Sequence, residues 1–466
     1  VGVNLNYTNL GPYFSLVKQR PNFSHSPEYI GTEGFFRQKT KASGMLKFYG
    51  YYNHGQVGFR TPAPDGGNPF GFNVKNNNVY TNLSWAGLLQ EKWKLNLGTS
   101  YSNDWNDINS SYNVGFLNAD TFRVRSSLGQ IRAMATHFFG RLTSLRFGGE
   151  YQFSTDGYEN RRFGNRSIED NYSAAFVESD LYVTTKLVAR LGLRAENSTL
   201  LGQAKLAPRV SLAYKLGKGD QFSFAWGYFY QKGDSLLRWQ NQFDAVPGFQ
   251  RAEHYILNYQ YILNNRSFRV EGYYKKYKDL ITTREHLLRN DGAGYAQGLE
   301  LFYRDKETFK GMDFWLSYSY LDTKRRFQWY PVEAQPTYAA NHVATLVAKK
   351  YLAKIRTSVG MTYNYSTGRP YYNPNRPLSE FLVDRTPAYN SLSINANYLT
   401  TIRKAFTVVV LGVNNVLGQE QIFGYRYASD GSNPTAIRPA ASRFVFIGAF
   451  LSWGTDRRQE VLDNQN

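Results

Sequence analysis

The 466-residue chain contains no cysteine. Disulfide bonds, thiolate metal sites and cysteine nucleophiles are therefore excluded. The chain also lacks any run of about 18 consecutive apolar residues, so it offers no candidate for a transmembrane α-helix. Histidine is scarce, with six residues, and none has the spacing of a metal ligand pair such as HExxH. We therefore expect no metal ion, no cofactor and no enzymatic activity.

Aromatic side chains, by contrast, are abundant. Tyrosine (37), phenylalanine (32) and tryptophan (8) together make up 17% of the chain. The mean hydropathy is nonetheless polar, at −0.51. Many aromatic residues in a polar chain are typical of a membrane β-barrel, which has aromatic girdles at both interfaces and a wet interior.

The clearest local pattern is a hairpin over residues 206–231, LAPRVSLAYKLGKGDQFSFAWGYFYQ. Apolar side chains alternate with small or polar ones on both sides of the turn formed by GKGD. A period of two on both arms of a tight turn indicates a β-hairpin. The same alternation recurs along almost the whole chain. It therefore predicts an all-β fold, a large antiparallel transmembrane β-barrel whose apolar side chains face lipid.

The alternating segments number 20, and short turns alternate with long loops between them. Outer-membrane barrels show this asymmetry, with tight periplasmic turns and longer extracellular loops. We expect residues 1–453 to form the barrel and residues 454–466 to form a polar tail. The barrel would have 22 strands if a first hairpin precedes the chain. The loops expected to be extracellular lie near residues 56–77, 105–118, 367–386 and 416–438.

Charged residues on the polar faces of the strands are the first functional signal. An arginine on the lipid face at mid-membrane would cost ~2–4 kcal/mol, so these residues should face the lumen. A barrel of about 20 strands has a lumen too wide for its own side chains to fill. A separate body is therefore expected inside it. The lumen-facing candidates are Arg146, Glu150, Arg190, Arg194, Glu196, Arg209, Arg269 and Glu271.

The formal net charge of +19 admits more than one interpretation. The charges can be solvated lysines and arginines at turns and in the lumen, or they can form a basic surface that faces a partner or an anionic substrate. Nucleic acid is not expected as a partner, because the basic residues are scattered rather than clustered.

Two loops contain candidate ligands for other molecules. In residues 367–377, TGRPYYNPNRP, the side chains of Arg369, Tyr371 and Tyr372 could stack on or hydrogen-bond to a ligand at the cell surface. The alternative is an ordered loop that packs on its neighbours. Asn103, Asp104 and Asp107 could hold Ca²⁺, although ordinary solvated turn chemistry is the default interpretation.

Several segments together resemble the barrel of TonB-dependent outer-membrane receptors of the kind found in Bacteroidetes. The resemblance covers most of residues 190–450. It implies a bacterial outer-membrane location, a 22-stranded barrel, and uptake of a large nutrient with energy supplied through TonB. The segments are LGLRAE (191–196), LAPRVSLAY (206–214), RAEHYILNYQY (251–261), FRVEGYYKKYKDLI (268–281), GYAQGLELFYR (294–304), FWLSYSYLDTKR (314–325), STGRPYYNPN (366–375) and LGVNNVLGQEQIFGYRYA (411–428).

The resemblance also implies partners. These are the lipid of the outer membrane, a plug domain that fills the barrel, TonB acting through a segment ahead of the plug, and a surface lipoprotein. We expect the plug and the first hairpin to lie upstream of Val1. The alternative functions are a passive outer-membrane pore, a structural barrel in an envelope complex, and a barrel enzyme with a catalytic histidine near the rim.

Overall fold

The computed structural model describes the chain except residues 17–21, 42, 62–69, 111–119, 140–142, 161–163, 234–246, 286, 440 and 454–466. The predicted polar tail therefore lies outside the described residues. Apart from one helical turn, α1 (Gly11–Leu16), and two short 3-10 turns, the regular structure is β. No helix in the described part of the chain is long and apolar enough to cross a membrane.

The dominant feature is one antiparallel sheet of 20 strands, each paired with its neighbours in the chain. This confirms the predicted all-β fold with about 20 strands. The strands of the sheet are β1 (Gly2–Asn9), β2 (Asn22–Thr40), β3 (Gly44–Thr61), β4 (Phe70–Leu89), β5 (Trp93–Ser110), β6 (Asp120–Phe139), β7 (Thr143–Asn160), β8 (Gly164–Tyr182), β9 (Leu187–Ser198), β10 (Gln203–Lys215), β11 (Asp220–Gln231), β12 (Gln250–Leu263), β13 (Arg266–Arg284), β14 (Leu287–Asp305), β15 (Met312–Arg326), β16 (His342–Leu352), β17 (Thr357–Ser366), β18 (Tyr389–Ile402), β19 (Ala405–Asn414) and β22 (Phe444–Ser452). A separate small hairpin, β20 (Gly424–Arg426) with β21 (Thr435–Ile437), lies between the last two strands of the sheet.

The sheet curves round so that its two ends approach each other. Tyr13, which follows β1, contacts Phe444 at the start of β22, with ring centroids 5.8 Å apart. Among the described residues β1 pairs with β2 and β22 pairs with β19, and no ladder joins β1 to β22. The first and last strands are therefore neighbours at the long-loop end of a rolled sheet.

Alternation along the strands divides the sheet into two faces. On the outer face Leu212 lies opposite Phe224, and Phe224 lies opposite Leu257. These side chains are large and apolar, yet they are 41%, 39% and 58% exposed. A continuous exposed apolar surface of this kind is unfavourable in water and suits contact with lipid chains.

Several strands are longer than the sequence pattern predicted. The sequence pattern predicts a loop at residues 277–291, but β13 continues to Arg284, β14 begins at Leu287, and the two strands pair up to these residues. Likewise β3 continues to Thr61, β4 begins at Phe70, and β5 continues to Ser110, which shortens the predicted loops 56–77 and 105–118. In β4 and β5, polar residues such as 75–78 and 102–104 interrupt the apolar alternation, but the backbone ladder continues. Their side chains also pair across the strands, as where Asn76 donates to Asn106 at 2.8 Å.

Because the chain has no native cysteine, single introduced cysteines can test which side chains lie on the outer face and which lie on the inner face. Single cysteines at Leu212 and Leu257 should be protected from a membrane-impermeant maleimide in proteoliposomes, because lipid covers the outer face. Cysteines at Ser223 and Asn258, which lie opposite each other on the inner face, should label at least about tenfold faster. Equal or reversed labelling rates would contradict the assignment of the two faces.

Candidate functional site

The inner face of the sheet brings the predicted lumen residues together. One cross-strand row runs from Arg146 to Glu178, then to Gly192 and Arg209. Glu150, Arg190, Arg194 and Glu196 are an even number of positions from members of this row on the same strands. Arg269 and Glu271 lie on the same face of β13, opposite Gln260 and Asn258. All eight candidates therefore share one face of the sheet.

Three of the predicted arginines are already paired within the wall. Arg146 lies 3.3 Å from Glu178, and Arg190 donates to Asp180 at 2.5 Å.

Arg194 contacts the carboxylate of Glu150 and lies 3.4 Å from that of Glu196, which also accepts a hydrogen bond from Tyr172 at 2.5 Å. Strand pairing thus neutralises much of the charge of the inner wall without help from another molecule.

The remaining candidates have fewer partners. Glu271 accepts a hydrogen bond from Asn258 at 3.2 Å. Arg209 stacks on the ring of Phe229, 4.6 Å from its centroid. Neither Arg209 nor Arg269 has a carboxylate within 4.0 Å in the described part of the chain.

Sequence reasoning missed other residues of the inner wall. Lys94 and Arg132 line the same hollow as Arg146 and Arg194. Both residues lie on the polar face of their strands, so the alternation alone was sufficient to place them on the inner wall.

A stretch of the wall rich in tyrosine and asparagine was also missed. Tyr49, Tyr51 and Tyr80 form a group with ring centroids 5.5–6.3 Å apart. Beside them Asp104 accepts hydrogen bonds from Asn76 and Asn78. The inner wall at β3–β5 is therefore rich in tyrosine and asparagine, whereas β7–β9 contain the ion pairs of Arg146, Arg190 and Arg194.

The calcium interpretation is not supported by the geometry. Asn103 and Asp104 are adjacent residues of β5, so their side chains point to opposite faces. Asp107 instead lies 3.3 Å from Arg123. Among the described residues no group of three or more acidic or histidine side chains could hold a metal ion.

At the long-loop end, three connections pack into one layer, which we call the loop layer. It consists of residues 327–341, 367–388 and 415–439. Arg385 donates to Gln335 at 2.8 Å, which joins the first connection to the second. Asn375 donates to the carbonyl of Gly431 at 2.8 Å, which joins the second to the third. The loop layer is therefore held by contacts between connections, in addition to those within each.

The three predicted ligand-loop residues all lie in this layer. The guanidinium of Arg369 lies 5.6 Å from the ring centroid of Phe423. The rings of Tyr371 and Tyr425 are 4.7 Å apart. Burial, followed by a hydrogen bond with Tyr427, raises the pKa of Tyr371 to about 12. Arg369 and Tyr371 therefore contact residues of the third connection, 415–439, as expected for an ordered loop that packs on its neighbours.

Tyr372 is different, because 48% of it remains exposed. Its ring lies 6.0 Å from that of Trp329 at an angle of 89°, and Trp329 is also 48% exposed. Beneath them Tyr330 and Phe381 are buried and 5.2 Å apart. The result is an open corner of two aromatic rings on a rigid base. Trp329 escaped the sequence analysis, since nothing in the sequence places residue 329 beside residue 372.

A salt bridge fixes the turn next to this corner. Arg376 donates to Asp384 twice, at 3.1 and 2.8 Å, and lies 3.1 Å from Glu380. The Arg376 guanidinium, and then a hydrogen bond from Asn373, hold the pKa of Asp384 below its ordinary value.

The chain matches a family model described as "TonB dependent receptor-like, beta-barrel" over residues 18–416. The chain belongs to this family. No curated protein matches it. Because the receptors of this family reside in the outer membrane and transport rather than catalyse, this chain is an outer-membrane receptor barrel for TonB-dependent uptake and not an enzyme. Membership also implies a plug domain and an interaction with TonB.

Solved structures show the same fold. The siderophore receptor PiuA from Acinetobacter baumannii is 13% identical, with 92% of this chain and 74% of that chain covered at a TM-score of 0.70. The ferric-catecholate import receptor Fiu from E. coli K12 is 10% identical, with 97% and 78% covered at 0.70. The FrpB iron transporter from Neisseria meningitidis is 11% identical, with 96% and 76% covered at 0.72. For this TonB-dependent receptor, the long-loop end is therefore extracellular and the turn end is periplasmic.

The loop layer depends on one glycine. A Cβ at Gly368 would overlap the carbonyl oxygen of Thr386. That residue exchanges hydrogen bonds with Arg369 at 2.9 and 3.0 Å. Loss of both bonds would cost ~2 kcal/mol. We expect Gly368→Ala to speed proteolysis within residues 367–388 about tenfold or more, as measured by mass spectrometry of the intact receptor.

Gly272→Ala is the matched control, because no atom lies within 4 Å of a Cβ built there. It should leave the cleavage rate unchanged. A Gly368→Ala receptor as resistant as the wild type would show that the pairing of these two segments does not hold the loop layer.

The Arg376–Asp384 pair predicts a pH dependence. Because the folded pKa of Asp384 is lowered, its stabilisation is fully present above the ordinary value of 3.8 and is lost as the pH falls through the lowered pKa. Proteolysis of residues 367–388 by an acid-active protease should accelerate over that range. Asp384→Asn should already be susceptible at pH 7 and should lack the transition. A wild-type rate that does not change on acidification would contradict this role.

Proposed function

We propose that this receptor takes up a large anionic nutrient with aromatic groups, and that ferric siderophores are the class to test first. The observation that carries the proposal is the open corner formed by Trp329 and Tyr372 in the loop layer. Two half-exposed rings at 89° offer one face for stacking and one edge for a T-shaped contact. A flat aromatic group of a ligand can meet both at once.

The charge around the corner supports an anionic ligand. Arg369 lies in the same connection as Tyr372, and its only aromatic contact of this kind in the described residues is with Phe423. Another part of the inner wall, at β5–β10, is positive as well, since Lys94, Arg132 and Arg209 line it without a carboxylate within 4.0 Å in the described part of the chain. The siderophore and iron receptors among the structural neighbours make iron chelates a reasonable first choice of ligand.

The test is equilibrium binding of radiolabelled ferric siderophores to the purified full-length receptor. The panel contains catecholate, hydroxamate and carboxylate chelates. We expect at least one chelate with aromatic groups to bind. Trp329→Ala should weaken its binding about tenfold, equivalent to ~1.4 kcal/mol, because a stacking surface is lost.

Trp453→Ala is the matched control. Trp453 is also exposed, at 69%, but it follows β22 at the periplasmic end, far from the loop layer. Its removal should leave binding unchanged. If no chelate binds, or if the two tryptophan variants bind equally, the proposed capture site is wrong.

Arg369 provides a test of ligand charge. Arg369→Gln should weaken the binding of an anionic chelate and leave that of a neutral one unchanged. The measurement is the same equilibrium assay at two salt concentrations, since the lost interaction is screened by salt. Equal losses for anionic and neutral chelates would indicate a structural role for Arg369.

A further inference from the structure

We propose that Arg209 is the centre of an anion-binding site on the inner wall, at the middle of β10, and that the site takes a carboxylate or phosphate group. The site is distinct from the loop layer, which connects the extracellular ends of β15–β19 and β22. The proposal holds whichever nutrient the receptor transports, so its test is separate from that of the capture site.

The first observation is the space around Arg209. Its cross-strand neighbours on both sides are glycines, Gly192 on β9 and Gly227 on β11. Two hollows open there, of about 620 and 230 Å³, and Arg209 lines both. The side chain of Arg209 lies over Gly227 and that of Glu178 lies over Gly192. The room for a ligand group is therefore in the two hollows and not above the glycines.

The second observation is that Arg209 is not satisfied by the wall. Its Nε atom is buried and has no hydrogen-bond partner in the described part of the chain. No carboxylate of the described residues lies within 4.0 Å of it. A buried cationic donor without a partner is unfavourable, and an incoming anion would offset that cost. Arg146, Arg190 and Arg194, by contrast, each have a carboxylate of the wall.

The third observation is the position of the guanidinium. Its central carbon lies 4.6 Å from the ring centroid of Phe229, and that ring in turn contacts His254, with centroids 4.5 Å apart. Arg209, Phe229 and His254 all line the smaller hollow. A planar guanidinium matches the two oxygens of a carboxylate or a phosphate. Phe229 therefore holds the guanidinium at the hollow in which an anion would lie.

The charge of the larger hollow fits an anion as well. Arg132 and Lys94 also line it, and neither has a carboxylate within 4.0 Å among the described residues. Arg132 repeats the arrangement of Arg209, since it lies 5.5 Å from the ring centroid of Phe176. Glu178 and Asp180 line this hollow too, but they pair with Arg146 and Arg190. The three cations without a carboxylate partner therefore leave the hollow positively charged, which favours an anion over a neutral ligand.

The anionic group could come from two sources. It could belong to a free anion in transit through the lumen, or to an aspartate or glutamate of a polypeptide segment held inside the barrel. The chemistry at Arg209 is the same in both cases, so two measurements are needed to tell them apart.

The first measurement is calorimetric titration of the full-length receptor with citrate and with inorganic phosphate. A free-anion site predicts binding by the wild type that is at least about tenfold weaker in Arg209→Gln. Arg304→Gln is the matched control. Like Arg209, Arg304 lies over an aromatic ring, 5.5 Å from the ring centroid of Trp315. Unlike Arg209, it has a carboxylate partner, since it donates to Asp313 at 2.9 and 2.6 Å. The control should bind both anions like the wild type.

The second measurement is the thermal unfolding midpoint of the same receptors. If a protein carboxylate occupies the site, neither free anion binds, and Arg209→Gln lowers the midpoint by several degrees because it removes an ion pair. If Arg209 has no anion, removing an unpaired cation leaves the midpoint unchanged or raises it. No binding together with an unchanged or raised midpoint overturns the proposal. Equal anion binding by the wild type and Arg209→Gln overturns it as well.

Discussion

The structure depends on one constraint: inside a bilayer, every backbone N–H and C=O group needs a hydrogen-bond partner from the protein itself. A rolled antiparallel sheet meets this constraint along each of its paired strands. The same pairing fixes register, and register fixes which side chains share a face. The exposed leucines of the outer face and the charged residues of the inner face are therefore two results of one hydrogen-bond pattern. Neither face could change register without exposing charge to lipid.

The two ends of the strands have different tasks. At the periplasmic end, tight turns such as residues 216–219 only reverse the chain. At the extracellular end, the three connections of the loop layer are long enough to pack on one another through contacts such as that of Arg385 with Gln335. Between the two ends, the inner wall neutralises some charges by pairing and leaves others unpaired. The proposed capture site in the loop layer and the proposed anion site on the inner wall thus consist of separate sets of residues.

Alternation in the sequence was sufficient to predict the fold, because a period of two is a direct consequence of strand geometry. The hairpin at residues 206–231 shows this, since Lys215 pairs with Gln221 across the predicted turn. Strand ends were predicted less well. At residues 277–291 the apolar residues Leu280, Ile281 and Leu288 do not follow a regular period of two, and the register shifts near Leu280, although the ladder continues. The small hairpin of β20 and β21 is too short to show a period.

The sites could be predicted only in part. The alternation predicted which side chains lie on the inner face, so Arg209 and Arg146 could be assigned to the same wall. Pairing could not be predicted, because Arg194 meets Glu150 only through the register of strands that lie far apart in sequence. The corner of Trp329 and Tyr372 is a contact between two connections, and no local pattern encodes it. The ion pairs of the inner wall and the corner of Trp329 and Tyr372 could therefore be recognised only from the three-dimensional structure.

The most direct test of the central claim, that this barrel belongs to an energised receptor, is uptake of a bound ligand by cells that have or lack TonB. The ligand is whichever radiolabelled chelate binds the purified receptor. The account predicts equal surface binding by both strains and accumulation inside only the strain with TonB. Equal accumulation in both strains would contradict the account and would identify the barrel as a passive pore.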